Sequence, residues 1–145
     1  MSKFKIAIRL NVLNPPKGVA MRVQKGRDEL LEPSSDSSKA LVFDFPITVD
    51  LSDKTPNFLG EFAQGPKTAR FVYVNSGTYA GQADSCWGRR AKISLIAINS
   101  VQIRELLKSD NARLELSFEA TGGRDGGPVC GSLRSLGKGW QIIKE

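Results

Sequence analysis

The feature that most constrains this chain is a two-residue alternation of apolar and polar side chains. The longest unbroken run places an apolar residue at every second position: Leu41, Phe43, Phe45, Ile47, Val49 and Leu51. Successive side chains of a β-strand point to opposite faces, so this spacing predicts a strand with all six on one face. Pro46 falls on the opposite face and has no amide hydrogen to donate. We therefore expect this strand to lie at a sheet edge or to be bulged there.

Shorter runs with the same period predict further strands. Their apolar positions are Phe4, Ile6, Ile8, Leu10 and Val12; Val19, Met21 and Val23; Ala91, Ile93, Leu95 and Ala97; and Leu114, Leu116 and Phe118. The run 70–74 is apolar at consecutive positions from Phe71 to Val74, which is typical of a central strand covered on both faces. Residues 139–143, with Trp140 and Ile142 on one side, are the last predicted strand.

One short helix is predicted among these strands. Ser100 can cap it, and apolar residues then fill about two turns before Ser109 and Asp110 end it. Turn-forming residues separate the predicted strands, and the polar stretch 33–38 is expected to be mobile. The pattern as a whole predicts an all-β sandwich or barrel of about eight or nine strands with one helix near 100–108.

Length and composition favour a single domain spanning 1–145. The chain has 145 residues, which suits one core, and it contains no linker-like segment. The alternating N-terminus lacks the unbroken apolar stretch of an export signal, and no apolar run approaches the roughly 20 residues that cross a bilayer. Cys86 and Cys130 form no metal-binding or disulfide-rich pattern. We expect a cytoplasmic protein without membrane contact, with both thiols reduced.

The complete lack of histidine narrows the chemistry. Histidine is the only side chain whose unperturbed pKa lies near neutrality, so Ser-His-Asp and Cys-His catalysis are both excluded. Ser85, Cys86 and Trp87 resemble the segment around a papain-like nucleophile, but Cys86 has no histidine to take its proton. No metal site and no cofactor are predicted.

The net charge of +6 raises the question of nucleic-acid binding. The Lys and Arg residues are spread over separate segments, and the aromatic residues form no RNA-binding signature. We interpret the charge as a solvated basic surface, with non-specific nucleic-acid binding as an alternative. The glycine-rich stretch 122–128 offers a possible anion nest, but a hairpin connection is the simpler interpretation.

Residues 77–92, GTYAGQADSCWGRRAK, are the strongest candidate for a functional site. A connection longer than about 12 residues without its own pattern is usually functional or disordered, and this one has Tyr79 and Trp87 to pack. Gln82 and Asp84 supply hydrogen-bonding groups. Consecutive residues of a strand face opposite ways, so only one arginine of the pair at 89–90 can reach a given pocket.

We expect this connection to bind a small anionic ligand or a protein partner. Arg89 or Arg90, with Gln64, Arg70 and Tyr79, would receive the ligand, because the planar guanidinium suits carboxylate and phosphate.

Two alternatives to this binding site remain open. In the first, Asp84 pairs with Arg89 or caps the loop and Trp87 fills the end of the core, so that the segment is structural. In the second, the protein is an enzyme with Asp84 or Glu61 as general base and Cys86 as nucleophile, its thiolate favoured by the two arginines.

Several short motifs resemble those of an uncharacterised family of small bacterial proteins, a domain of unknown function. They are VQKG at 23–26, FLGEFAQGP at 58–66, RFVY at 70–73, GTYAGQ at 77–82, WGRRAK at 87–92 and GGPVC at 126–130. The resemblance covers most of the chain and implies a bacterial source and a single domain. Its matching positions include Gln64, Arg70, Tyr79, Gln82, Trp87 and the Arg89-Arg90 pair, but it brings no established activity and no catalytic residue.

Overall fold

A computed structural model describes residues 3–15, 19–24, 30–37, 39–52, 56–62, 65–69, 71–78, 90–95, 97–121 and 132–144. Within these ranges the chain forms eleven strands and one helix. They are β1 (Lys3–Leu13), β2 (Val19–Gln24), β3 (Leu30–Leu31), β4 (Ser35–Asp36), β5 (Ala40–Asp50), β6 (Asn57–Phe62), β7 (Gly65–Ala69), β8 (Phe71–Thr78), β9 (Arg90–Ser94), α1 (Ser100–Leu107), β10 (Ala112–Thr121) and β11 (Ser132–Lys144).

The strands form two sheets. The larger has seven strands in the order β11-β10-β1-β5-β6-β7, with β4 added alongside β5, and the smaller has four in the order β3-β2-β8-β9. β1 and β10 run parallel, and the other paired strands are antiparallel. The all-β prediction is confirmed. The strands outnumber the eight or nine expected partly because β3 and β4 have two residues each, too few to show a period.

One hydrophobic core lies between the two sheets. Buried residues of the larger sheet, such as Ile8 and Phe43, belong to the same cluster as Val23 and Val72 of the smaller one. Two sheets with a shared apolar interior make a sandwich, which decides between the two architectures predicted. The alternation is confirmed at the interior positions of β1, β5 and β10. It ends sooner than predicted at Phe4, which is 37% exposed, and at Ala97, which is exposed beyond the end of β9.

The strand that contains Pro46 is an interior strand with a local gap on one edge. β5 pairs with β1 along its whole length, whereas its other edge pairs with β4 near Val42 and with β6 from Thr48. Ser34 N donates to Val42 O (2.7 Å) and Asp44 N donates to Ser34 Oγ (3.0 Å), so even-numbered residues direct their main chain to this second edge. Pro46 N therefore points where no described strand pairs with β5. The predicted edge or bulge is therefore wrong for β5, which pairs on both sides and shows no register shift against β1. Pro46 is tolerated because its nitrogen faces this gap, so the ladder loses no bond.

A capping box begins the helix α1, and its cap is Asn99 instead of the predicted Ser100. Asn99 Oδ1 accepts from Gln102 N (2.9 Å), and Gln102 Oε1 accepts from Asn99 N (3.1 Å). Ser100 is the first helical residue. Ile103 and Leu106 face the core, and Gln102 Nε2 donates to Trp140 O (3.1 Å), which attaches the helix to β11. No helix in the described residues has the length and apolarity that a membrane span requires.

The capping assignment predicts unequal effects of two neighbouring substitutions. Asn99→Ala removes the acceptor of the Gln102 amide and should lower the free energy of unfolding by about 1 kcal/mol. Ser100→Ala lies inside the first turn and should change it by less than about 0.5 kcal/mol. Urea unfolding followed by circular dichroism measures both. A larger loss for Ser100→Ala would return the cap to the position predicted from sequence.

Candidate functional site

Most residues of the predicted site lie outside the described part of the chain. These are Gln64, Arg70, Tyr79, Gln82, Asp84, Trp87 and Arg89, and the two cysteines also fall there. Arg90 is described as the first residue of β9, where its backbone pairs with Asn75 of β8. The glycine-rich stretch 122–128 lies outside as well. The structure describes the frame of this site, that is, the two strand ends that the segment 79–89 connects.

That frame is one end of the smaller sheet. The described chain stops at Thr78, the last residue of β8, which pairs with Val19 at the start of β2. It resumes at Arg90, where β9 begins beside β8. β8 lies between β2 and β9, as predicted for a central strand, and Val72 and Val74 are buried in the core. The segment 79–89 therefore leaves and re-enters at the same end of this sheet.

The larger sheet brings a second group of connections to the same end of the sandwich. Leu13 at the end of β1 pairs with Ala40 and with Glu119, so the end of β1, the start of β5 and the end of β10 lie together. Residues 14–18 link Leu13 to Val19, a separation of at most about 20 Å for an extended chain. Asn14 N donates to Lys39 O (2.8 Å), and this hydrogen bond holds the end of β1 beside the start of β5. The segments 79–89 and 122–131 thus both start from this end, which we call the loop end.

A separate feature lies at one edge of the larger sheet, where β11 bulges away from β10 near the middle of both strands. Glu115 pairs with Gln141 and Ser117 pairs with Leu136, so the four residues 137–140 stand opposite Leu116 alone. We call residues 137–140 the bulge. Gly137 and Gly139 have φ of 73° and 96°, a region that other residues rarely adopt. The backbone conformation of the bulge therefore depends on these two glycines.

The bulge reverses which residues of β11 face the core. Leu136 and Gln141 lie on the same outer face although five positions separate them, an odd spacing that an unbroken strand would not allow. Trp140 consequently turns inward, where it is buried, and its Nε1 donates to Ser94 O of the smaller sheet (3.1 Å). This hydrogen bond ties the two sheets together directly.

On its outer face the bulge borders a cleft of about 190 Å³. Its floor comes from Glu115 and Ser117 of β10, its sides include Leu136 and Ile143 of β11, and Gln141 also lines it. A second depression, of about 430 Å³, lies over Ala7 and Pro46. Its polar side chains are Lys5 and Asp44, and Asp44 already receives two bonds from Arg9, at 2.6 and 3.1 Å. The bulge cleft has the larger set of hydrogen-bonding groups.

A network of polar side chains from two strands holds the floor of the cleft. Glu115 Oε1 accepts from Asn11 Nδ2 (2.5 Å), and Glu115 Oε2 accepts from Arg113 Nε (3.1 Å). Asn11 Nδ2 also donates to Ser117 Oγ (3.2 Å). The side chains of Arg113 and Glu115 are 16% and 21% exposed, so this pair is much less solvated than the Arg134–Glu119 pair further along the same face. The network holds the Glu115 carboxylate in a fixed orientation.

The sandwich and its two candidate sites thus define a small all-β protein with connections gathered at one end. The chain belongs to a family of unknown function, DUF5990, which it matches over residues 6–143. This confirms the resemblance to a domain of unknown function. No curated protein and no solved structure matches the chain.

Sequence reasoning missed the polar network at the bulge cleft. Asn11, Glu115 and Gln141 alternate with apolar neighbours, so they look like ordinary members of solvated strand faces. The pattern did contain one sign of the bulge. Leu133 and Trp140 both pack toward the core although an odd number of positions separates them, and two glycines lie between. Such a change of phase within one strand indicates a bulge.

The bulge geometry predicts that Gly137 is required for its backbone and not for space. A Cβ added at Gly137 would have Gln141 Nε2 as its nearest neighbour at 3.6 Å, an ordinary contact. Gly137→Ala should therefore lower the free energy of unfolding by roughly 1–2 kcal/mol through its positive φ alone. Gly137→Asn should cost less, because asparagine tolerates this region. Urea unfolding of both variants compares them, and equal losses would contradict the backbone explanation.

Proposed function

We propose that this protein is a binding module for a small anionic ligand, with its site at the loop end. The observation that carries the proposal is the topology: the segment 79–89 starts and returns at the end where the segment 122–131 also starts. In sandwich proteins, side chains on connections at one end can converge without disturbing the core, and binding residues concentrate on such connections. The composition of the segment supplies the chemistry.

The chemistry proposed for this site rests on arginine. Arg89 and Arg90 are adjacent, and β9 begins at Arg90, so at least one of them is held next to a fixed strand. A guanidinium so anchored loses less freedom on binding a carboxylate or phosphate than one on a free chain. Gln64, Arg70, Tyr79, Gln82, Asp84 and Trp87 complete the proposed set.

Thermal unfolding in the presence of anionic metabolites tests this proposal. The panel consists of di- and tricarboxylates and phosphate esters. A ligand at 100 times its dissociation constant should stabilise the wild type by about 2.7 kcal/mol, which is roughly 5–10 °C in Tm. Arg89→Ala or Arg90→Ala, whichever removes the contacting arginine, should weaken binding at least tenfold and reduce the ligand-induced shift by about half or more. Asp84→Ala shows whether the carboxylate is part of the same site.

Arg104→Ala is the matched control for this experiment. It removes the same side chain from an exposed position of α1, which follows β9 at the opposite end of the sandwich. Its ligand-induced shift should equal that of the wild type. A full shift in both the Arg89 and Arg90 variants, or no shift of the wild type with any anion of the panel, would contradict the proposed site.

A further inference from the structure

We propose that the bulge cleft is a second binding site, which takes a small, uncharged, hydroxyl-bearing ligand such as a monosaccharide ring. The cleft lies on the outer face of the larger sheet, near the middle of β10 and β11, and is separate from the loop end. Its volume of about 190 Å³ is more than ten times what one water molecule requires. It is therefore large enough for a small organic molecule.

The floor of the cleft offers acceptors and donors side by side. Each oxygen of Glu115 accepts one hydrogen bond within the protein and keeps capacity for another. Ser117 Oγ accepts from Asn11, which leaves its own hydrogen to donate. Gln141 adds an exposed amide, and its Nε2 lies near the Gly137 backbone. A hydroxyl group both donates and accepts, so it satisfies this mixed set better than a group that does only one.

Charge balance favours an uncharged ligand. Among the described side chains that form the floor, the Glu115 carboxylate is matched by Arg113, and both are largely shielded from water. A cation or anion entering the cleft would give up its hydration next to a pair that is already neutralised. A neutral molecule gives up much less hydration free energy, and hydrogen bonds to the floor can compensate it. This chemistry differs from that of the loop end, where arginine would bind an anion.

The sides of the cleft complete the match to a sugar ring. Leu136 and Ile143 are half-buried apolar residues on either side of the polar floor. A monosaccharide has hydroxyl groups at its edge and C–H groups on its faces, so it can contact both kinds of surface at once. Gly137 and Gly139 leave the backbone on this side open, and a Cβ at Gly139 would meet nothing within 4 Å. Bulges of this kind often lie next to binding sites.

NMR titration of the full-length ¹⁵N-labelled protein tests this inference. The probes are glucose, galactose and mannose, compared with glucuronate and glucosamine as charged counterparts. At least one neutral sugar should give saturable shifts at the amides of Gly137 and Gly139 and at the side-chain amide of Gln141. Glu115→Gln should weaken that binding roughly tenfold or more, because it exchanges an acceptor for a donor. The charged sugars should bind at least several-fold more weakly.

Glu119→Gln is the matched control, because Glu119 lies on the outer face of β10 and also pairs with an arginine, Arg134 of β11, but lies outside the cleft. It should bind the neutral sugar as the wild type does. If Glu115→Gln does not fold, Ser117→Ala and Gln141→Ala test the same floor through side chains that carry no charge. The inference is overturned if no neutral sugar shifts the three reporter groups, if the charged sugars bind equally well, or if the floor variants that fold retain wild-type affinity. The Arg89 and Arg90 variants should leave this binding unchanged.

Discussion

The pairing of β1 on both of its edges is the constraint on which the rest of the structure depends. Its inward residues Ile8, Leu10 and Val12 have at most 1% of their surface exposed. β5 covers one edge in antiparallel register and β10 covers the other in parallel register. A parallel pair needs a long crossover, and here the crossover contains the whole smaller sheet and α1. The second sheet is therefore built from part of the chain that connects these two parallel strands.

The strands with one buried and one solvent-exposed face are the part of this fold that can be predicted from sequence. β1, β5 and β10 show an unbroken period of two because burial selects apolar residues at alternate positions. The period identifies faces but not neighbours, so the parallel β1–β10 pair could not be predicted. β4 was missed for a different reason. It is held by main-chain bonds and by the Ser34 hydroxyl, and these bonds do not require a particular pattern of side chains in β4.

The start of α1 shows why a capping residue is hard to predict when two neighbouring residues are both suited to cap the helix. Asn99 and Ser100 are both good capping residues, so residue type alone does not distinguish them. The spacing does, because Gln102 lies three positions after Asn99 and can return a hydrogen bond to it. Gln102 also binds the Trp140 carbonyl, which fixes the helix against the bulge. One side chain, that of Gln102, thus both completes the local cap and contacts a strand near the far end of the chain.

The two candidate sites follow from a general property of sandwiches. A regular sheet face is too flat to surround a ligand, so concave sites form where connections gather or where a strand departs from its register. The loop end could be proposed from composition because the segment 77–92 is continuous in sequence. The bulge cleft could not, since Asn11 and Glu115 meet only through the register of β1 and β10. The same bulge that turns Trp140 inward to join the sheets opens the outer face beside Glu115. One irregularity in β11 therefore both links the two sheets and creates a concave surface on the outer face.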